Sequence, residues 1–290
     1  MSWRTVVISK SAKLDYQMGY LVVRSDLTTR IHIGEIAILI VETTAVSLTC
    51  ALLSELTKNK IKVIFCDEKR NPSSELMPYY GSHDTSMKLR KQVAWSDDIK
   101  KSVWTEIVGE KIRNQAKHLK EYNDKDAELL MKYADEVEYA DETNREGHAA
   151  KVYFNSLFGM SFTRTLDNSI NSALNYGYSI LLSFFNREIT SSGYVTQLGL
   201  FHDNMFNQFN LGSDLMEPFR PLIDRCVKQM NPVKFEHDEK REILSFLQSE
   251  IKISGRREVI GNAIKIYTRS VFDAINEKDI SIIKFYSYEL

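Results

Sequence analysis

Residues 36–66 read IAILIVETTAVSLTCALLSELTKNKIKVIFC. Ile36 to Val41 is an unbroken apolar run of strand length, as a strand buried on both faces requires. From Ser47 to Lys58 the period changes. Leu48, Leu52, Leu53 and Leu56 fall at helical spacing, so one helix follows. Lys62 to Cys66 (KVIFC) then returns to a short buried strand. Upstream, Arg4 to Ile8 is β-branched, Lys13 to Arg24 alternates around a Met18-Gly19 hairpin turn, and Arg30 to Ile33 is a further strand. Residues 1–70 are therefore expected to form a small β-rich domain with one attached helix.

Downstream the texture changes. Asn71-Pro72-Ser73-Ser74, Pro78 and Gly81 mark a linker over 71–86. Beyond it Ser96-Asp97-Asp98 is a helix start, and Ile99, Val103, Ile107 and Ile112 trace one face. Further helices are expected at 124–138, 144–158, 168–192, 217–230, 237–251 and 256–276. Gly159 and Gly193 stand where helix-terminating glycines belong. The fold class is α+β: the β-rich domain, the linker, and a larger all-α domain over 87–290.

Composition narrows the function. At 43% hydrophobic the chain can bury a real core, which excludes wholesale disorder. Its net charge of −1 excludes a polybasic nucleic-acid coat, so any polyanion must meet local patches. Lys88, Arg90, Lys91 and the basic residues onward to Lys120 form such a patch, followed by an acidic stretch to Glu142. Runs of this kind are ordinarily solvated helix faces, although the basic one is suited to phosphates. Three dispersed cysteines fit neither a disulfide framework nor a zinc knuckle. The longest apolar run is far short of a membrane span, and a cytoplasmic protein without membrane contact is expected. No P-loop, G-x-G-x-x-G, H-E-x-x-H, G-x-S-x-G or C-x-x-C motif is present, so no nucleotide cofactor is indicated.

What remains is polar residues in apolar company. Glu146 shares a helix face with Ala149, Ala150, Tyr153 and Leu157, so its carboxylate points inward. There it either caps the helix or holds a cation. Asn171 lies one turn into the next helix beside Leu174 and Tyr178, as a buried backbone-bonded amide or as a group orienting a ligand. His202 falls in an aperiodic stretch, expected to be a loop. Asp214 and Glu217 precede Pro218; Glu217 reads as the cap of a helix starting at that proline, or with Asp214 as a platform for a hard cation. Together Glu146, His202 and an acidic residue form an O/N/O set suited to Mg2+ or Mn2+.

Three strings, NREGHAAKVYFNSLFG, TRTLDNSINSALNYGYSILL and TQLGLFHDNMFNQFNLGSDLMEPFRPLID, resemble the CRISPR-associated integrase, the spacer-acquisition endonuclease family, in its type II-A subgroup. WRTVVIS, EIAILIVETT and MPYYGSHD match as well, so the resemblance covers nearly the whole chain in order. It implies a β-rich amino-terminal domain, a linker and a helical catalytic domain. It implies Glu146, His202 and Glu217 as metal ligands and catalytic residues. Much of the family has Asp at the last position, which keeps Asp214 in contention as the third ligand. Asn171 and Arg145 become candidates for positioning ligand or phosphate, and Lys88, Arg90, Lys91 and Arg220 for holding DNA.

The implied reaction is transesterification: the 3′-OH of a short prespacer DNA attacks a phosphodiester of the CRISPR repeat. One phosphodiester replaces another, so no ATP is required, in keeping with the missing P-loop. The implied assembly is a homodimer, two of which flank a dimer of a small ferredoxin-fold adaptation protein. Prespacer and repeat DNA, an RNA-guided effector nuclease and a ring-shaped DNA-binding adaptation protein complete the implied partners. Two other functions fit the same residues: a metal-dependent endonuclease of branched or single-stranded DNA, and a non-catalytic DNA scaffold.

Overall fold

The computed structural model describes residues 4–78 and 82–287. Trp3 of the amino-terminal match and Tyr79, Tyr80 and Gly81 of MPYYGSHD lie outside the described residues. The amino-terminal region runs β1 (Arg4–Ile8), β2 (Ala12–Gln17), β3 (Tyr20–Arg24), β4 (Thr28–His32), β5 (Ile36–Val41), β6 (Val46–Leu48), α1 (Cys50–Lys58), β7 (Lys62–Cys66) and β8 (Pro72–Leu76). Two four-stranded sheets result, in the orders β1-β5-β7-β8 and β4-β3-β2-β6. β1, β5 and β7 are parallel and β8 runs antiparallel at the edge. Met18 and Gly19 both adopt positive φ, as the tight turn between β2 and β3 needs. Leu14, Leu21, Leu39, Leu52, Leu56 and Val63 fill the core of this region.

Every residue of β5 is buried, because its two faces serve two cores. Leu39 and Val41 face the amino-terminal core, while Ala37, Ile38 and Ile40 join the core of the helical region. Polar contacts reinforce that junction. Lys240 Nζ donates to the Lys69 carbonyl at 2.5 Å, and Arg187 Nε donates to the Lys60 carbonyl at 3.1 Å.

Two expectations are corrected here. The segment taken as the start of the α1 helix opens with β6, which pairs parallel to β2, and Thr49 caps the helix by accepting from Leu52 N. The expected linker at 71–86 contains β8, paired with β7, and Thr85 already begins α2 (Thr85–Val93). Pro72 is tolerated because β8 is an edge strand.

The helical region continues with α3 (Asp97–Leu119), α4 (Asp124–Asp135), α5 (Arg145–Phe158), α6 (Ser169–Ser191), α7 (Asn210–Met216), α8 (Arg220–Met230) and α9 (His237–Phe246). After these come β9 (Glu250–Ile253), β10 (Arg256–Val259), α10 (Ile260–Glu277) and β11 (Tyr286–Ser287). The region is thus not all-α. Strands β9, β10 and β11 make a third sheet in the order β10-β9-β11, where helices were expected to reach 251 and to start at 256. Glu250-Ile251-Lys252-Ile253 alternates with period two, and both isoleucines are buried. Ser254 and Gly255, both at positive φ, turn the chain back. Nor does a helix begin at Glu217. α7 passes through a 3-10 turn, Glu217–Phe219, directly into α8. Pro218 and Pro221 deny donors to an α ladder there, which favours the tighter turn. Among the described residues no helix is long and apolar enough to cross a membrane.

Candidate active site

The long helix α3 forms the floor of the site. Lys111 lies on it between buried Val108 and Ile112, and its ammonium is itself buried. Lys111 Nζ stands 2.5 Å from Glu146 Oε1 and 2.5 Å from Glu217 Oε2. One cation therefore joins two carboxylates that lie 71 positions apart in sequence. Burial disfavours a charge on Lys111, but Glu217 and then Glu146 outweigh it and hold the ammonium above the ordinary lysine value.

Each carboxylate is placed by its own element. Glu146 sits in the first turn of α5. It does not cap that helix, because Asp141 and Asn144 do. Asp141 accepts from Arg145 N at 2.7 Å and Glu146 N at 3.1 Å, and Asn144 accepts from Gly147 N at 3.3 Å. The Glu146 side chain is thereby released for the site. Ala140, Asp141 and Asn144 all take left-handed φ to make this cap, a cost of about 1 kcal/mol each. Glu217 stands in the 3-10 turn. Asn114 of α3 and Tyr286 both donate to the Pro218 carbonyl, at 3.2 and 3.1 Å, which pins the turn to the floor. Burial opposes ionisation of Glu217, yet Arg220 and Lys111 together hold its carboxyl below the usual range. Glu217 Oε1 lies 3.0 Å from Arg220 Nε. Oε2 is buried and has Lys111 beside it, but no aligned hydrogen bond.

His202 lies in the expected loop, between α6 and α7. Asp214 organises that loop from α7. Its wholly buried carboxylate accepts from Leu200 N at 2.6 Å, Phe201 N at 3.1 Å and His202 N at 3.1 Å. It also stands 2.5 Å from His202 Nδ1. That contact fixes the proton on Nδ1 and leaves Nε2 available. The hydrogen bond to Asp214, helped by the charges of Asp214, Glu217 and Glu146, raises the His202 pKa despite partial burial. The imidazole therefore keeps its proton to higher pH than a free one, and must lose it before acting as a ligand. Trp104 of α3 backs the loop, stacking on Phe201 with ring centroids 4.5 Å apart and meeting His202 edge-on at 5.8 Å.

Of the supporting residues, Arg220 belongs at the site through Glu217, and its guanidinium lies 4.8 Å from the Tyr178 ring centroid. Asp214 is an orienting residue, with its acceptor capacity directed at the His202 loop. Asn171 is not brought to Glu146, His202 or Glu217. Its amide donates to the Thr163 and Leu166 carbonyls, both at 2.9 Å, and accepts from Arg164, stapling the preceding loop to α6. Arg145 is turned to α4, pairing with Glu136 at 3.0 Å and lying over Tyr133. Lys88 packs over Tyr194, and Arg90 and Lys91 are exposed on α2. The residue the sequence reading missed is Lys111, which stands there within the basic run. Its spacing from Trp104, Val108 and Gln115 puts it on the buried stripe of α3, and that was the available signal.

Among the described residues no three His, Cys, Asp or Glu side chains converge closely enough to hold a metal ion. The donor chemistry nevertheless fits a hard divalent cation. Two carboxylates already share one cation, and an imidazole nitrogen is available on the adjoining loop. Glu146, Glu217 and His202 Nε2 are the groups here that could serve as its ligands.

The family model for "CRISPR associated protein Cas1" matches residues 5–261. The CRISPR-associated endonuclease Cas1 of Neisseria meningitidis serogroup C (strain 8013) is 38% identical over 229 residues, covering 78% of this chain and 75% of that protein. Among solved structures, a casposase bound to integration product superposes with a TM-score of 0.76 at 17% identity, covering 97% of this chain and 93% of that one. A chain of a Cas6-RT-Cas1–Cas2 complex gives 0.74 at 17% identity over 97% of this chain, which spans 36% of that longer one.

Proposed function

The chain belongs to the CRISPR-associated Cas1 family, and on that premise we propose that it is the metal-dependent DNA integrase of CRISPR adaptation. The observation that carries this reading is the convergence of Glu146 and Glu217 on one cation, beside a histidine oriented by a buried aspartate. The proposal extends to the type II-A subgroup, which the quoted motifs resemble.

In this reading Glu146, Glu217 and His202 Nε2 hold Mg2+ or Mn2+. When bound, the ion neutralises charge on the attacked phosphate and lowers the pKa of an attacking hydroxyl. The chain's own residues do the rest. Asp214 holds one proton on His202 Nδ1, so that Nε2 is the nitrogen left to ligate once it has lost its own. Arg220 keeps Glu217 ionised and adds positive charge beside the attacked phosphate. The 3′-OH oxygen forms a bond to phosphorus, the bond to the repeat's 3′ oxygen breaks, and the hydroxyl proton passes to solvent while the leaving oxygen gains one. Phosphodiester bonds are conserved in number.

The proposal includes a homodimer that, in pairs, flanks a dimer of the small adaptation protein. A structural neighbour's description as part of a Cas1–Cas2 complex supports that association. A cytoplasmic location belongs to the proposal too. Hydrolysis by the same site is the second reading, favoured by the relative's description as an endonuclease. DNA ending in a 3′-OH and the same DNA ending in a 3′-deoxy sugar separate them. With Mn2+, the small partner and repeat-bearing plasmid, joined product is expected only from the hydroxyl end. Nicking of the plasmid at equal rate with both, and no joined product, would establish the hydrolase.

A further inference from the structure

Lys111 is a buried lysine at the centre of the site, and the contacts that stabilise it are the two carboxylates assigned to the metal. Its ammonium lies 2.5 Å from an oxygen of each. A lysine taken from water into the apolar stripe of α3 needs such compensation, since an unpaired buried ammonium costs several kcal/mol. The surrounding charge is already balanced. Glu146, Glu217 and Asp224 face Lys111, Arg220 and Arg164, three of each sign, while His202 is matched to Asp214. A divalent cation cannot simply be added to this cluster. It would bring two positive charges to oxygens that a third already occupies.

We propose that Lys111 is an internal placeholder cation, which a divalent metal must displace to reach Glu146 and Glu217 together. This rests on the metal-dependent reading of the same site. Metal then enters by exchange rather than into a rigid cage, in keeping with the lack of a three-residue metal cluster among the described residues. The four-carbon stem of lysine can move its head without moving α3, which a shorter or stiffer cation could not do. The displaced ammonium needs a new anionic partner, and a DNA phosphate arriving at the site supplies one. Metal and DNA therefore favour each other's binding.

The test is Mn2+ affinity, read from the electron paramagnetic resonance of free Mn2+, for the full chain and for Lys111→Met without DNA. Lys111→Met is expected to bind Mn2+ about tenfold more tightly or better, because the competitor is gone. It is also expected to unfold earlier without metal and to gain more stability from Mn2+ than the wild type. Equal or weaker affinity in the variant would overturn the placeholder role while leaving a metal site in place. If neither chain binds Mn2+, the metal-dependent reading falls and this proposal with it. Should Lys111→Met fail to fold, the wild type decides. Reductive methylation of Lys111, read by mass spectrometry, is expected to rise severalfold when Mn2+ is added. Unchanged labelling at saturating Mn2+ would overturn the proposal.

Discussion

Asp214 directs its two oxygens at three backbone N–H groups and the His202 ring, and it is fully buried. An amide in its place would present a donor to donors and lose the charge that orients the imidazole. Asp214→Asn should therefore lower Mn2+ affinity and joining rate about 10–100-fold, the usual effect of removing a partner of a ligating histidine. Unchanged Mn2+ affinity in a folded Asp214→Asn protein would contradict that role. A second histidine governs acid stability. His118 is buried on α3 with Nδ1 2.6 Å from the Tyr153 hydroxyl. Burial first, then the charges of Arg225 and Lys228, depress its pKa to about 3. Unfolded chains take up this proton below the ordinary value of 6.5, while the folded chain refuses it until about 3. Its contribution is complete above 6.5 and is lost as pH falls toward 3, at up to about 1.4 kcal/mol per pH unit. Thermal melts from pH 7 to 4 should fall less steeply for His118→Gln; an equal slope would remove His118 as the cause.

Among the elements, the His202 loop is the most tightly specified. A Cβ on Gly199 would collide with the His202 carbonyl oxygen and stand 2.7 Å from Asp214 Oδ2, so only glycine fits there. Gly199→Ala should cost about 1–3 kcal/mol of stability and depress joining, while far-UV circular dichroism keeps the wild-type helix signal. Wild-type melting and joining would show that the loop relaxes freely. The helices over 145–158 and 169–191 were legible in sequence, because apolar periodicity and a terminal glycine agreed at each. The β9–β10 hairpin was not. Leu244, Leu247 and Ile251 continue a helical spacing past the point where α9 stops, and this hides the two-residue alternation beginning at Glu250. Leu48 hid β6 in the same way by standing four residues before Leu52. At Glu217 the proline suggested a helix start, whereas the chain uses it inside a helical run joined by a 3-10 turn. The motif residues Glu146, His202 and Glu217 could be picked out because each stands in a distinctive string. Lys111 was passed over, because a lysine inside a basic run reads as solvated unless its spacing from Trp104, Val108 and Gln115 is followed.

For the whole molecule, the first sheet lends one face to the core of the helical region through Ala37, Ile38, Ile40 and Ile64. Separating the two would expose that face, so DNA binding is a property to measure on the full chain. The basic run from Lys88 to Lys120 offers DNA less than its length implies. Lys100, Lys111, Arg113 and Lys117 are each paired with carboxylates. Arg90 and Lys91 are exposed on α2 and remain suited to phosphate. Replacing both by Glu should weaken binding to unrelated sequences alike and lower the slope of log affinity against log salt by about 1 for each phosphate no longer neutralised. An unchanged slope would move the DNA surface elsewhere. The central claim, that Glu146 and Glu217 hold the metal for strand transfer, is tested most directly by quantifying joined product with Mn2+, 3′-OH prespacer and repeat plasmid. Wild type is compared with Glu146→Gln and Glu217→Gln, each near-isosteric. Loss of joined product by about 100-fold or more in each variant, with folding and DNA affinity retained, is the predicted result. Wild-type joining by either glutamine variant would contradict it.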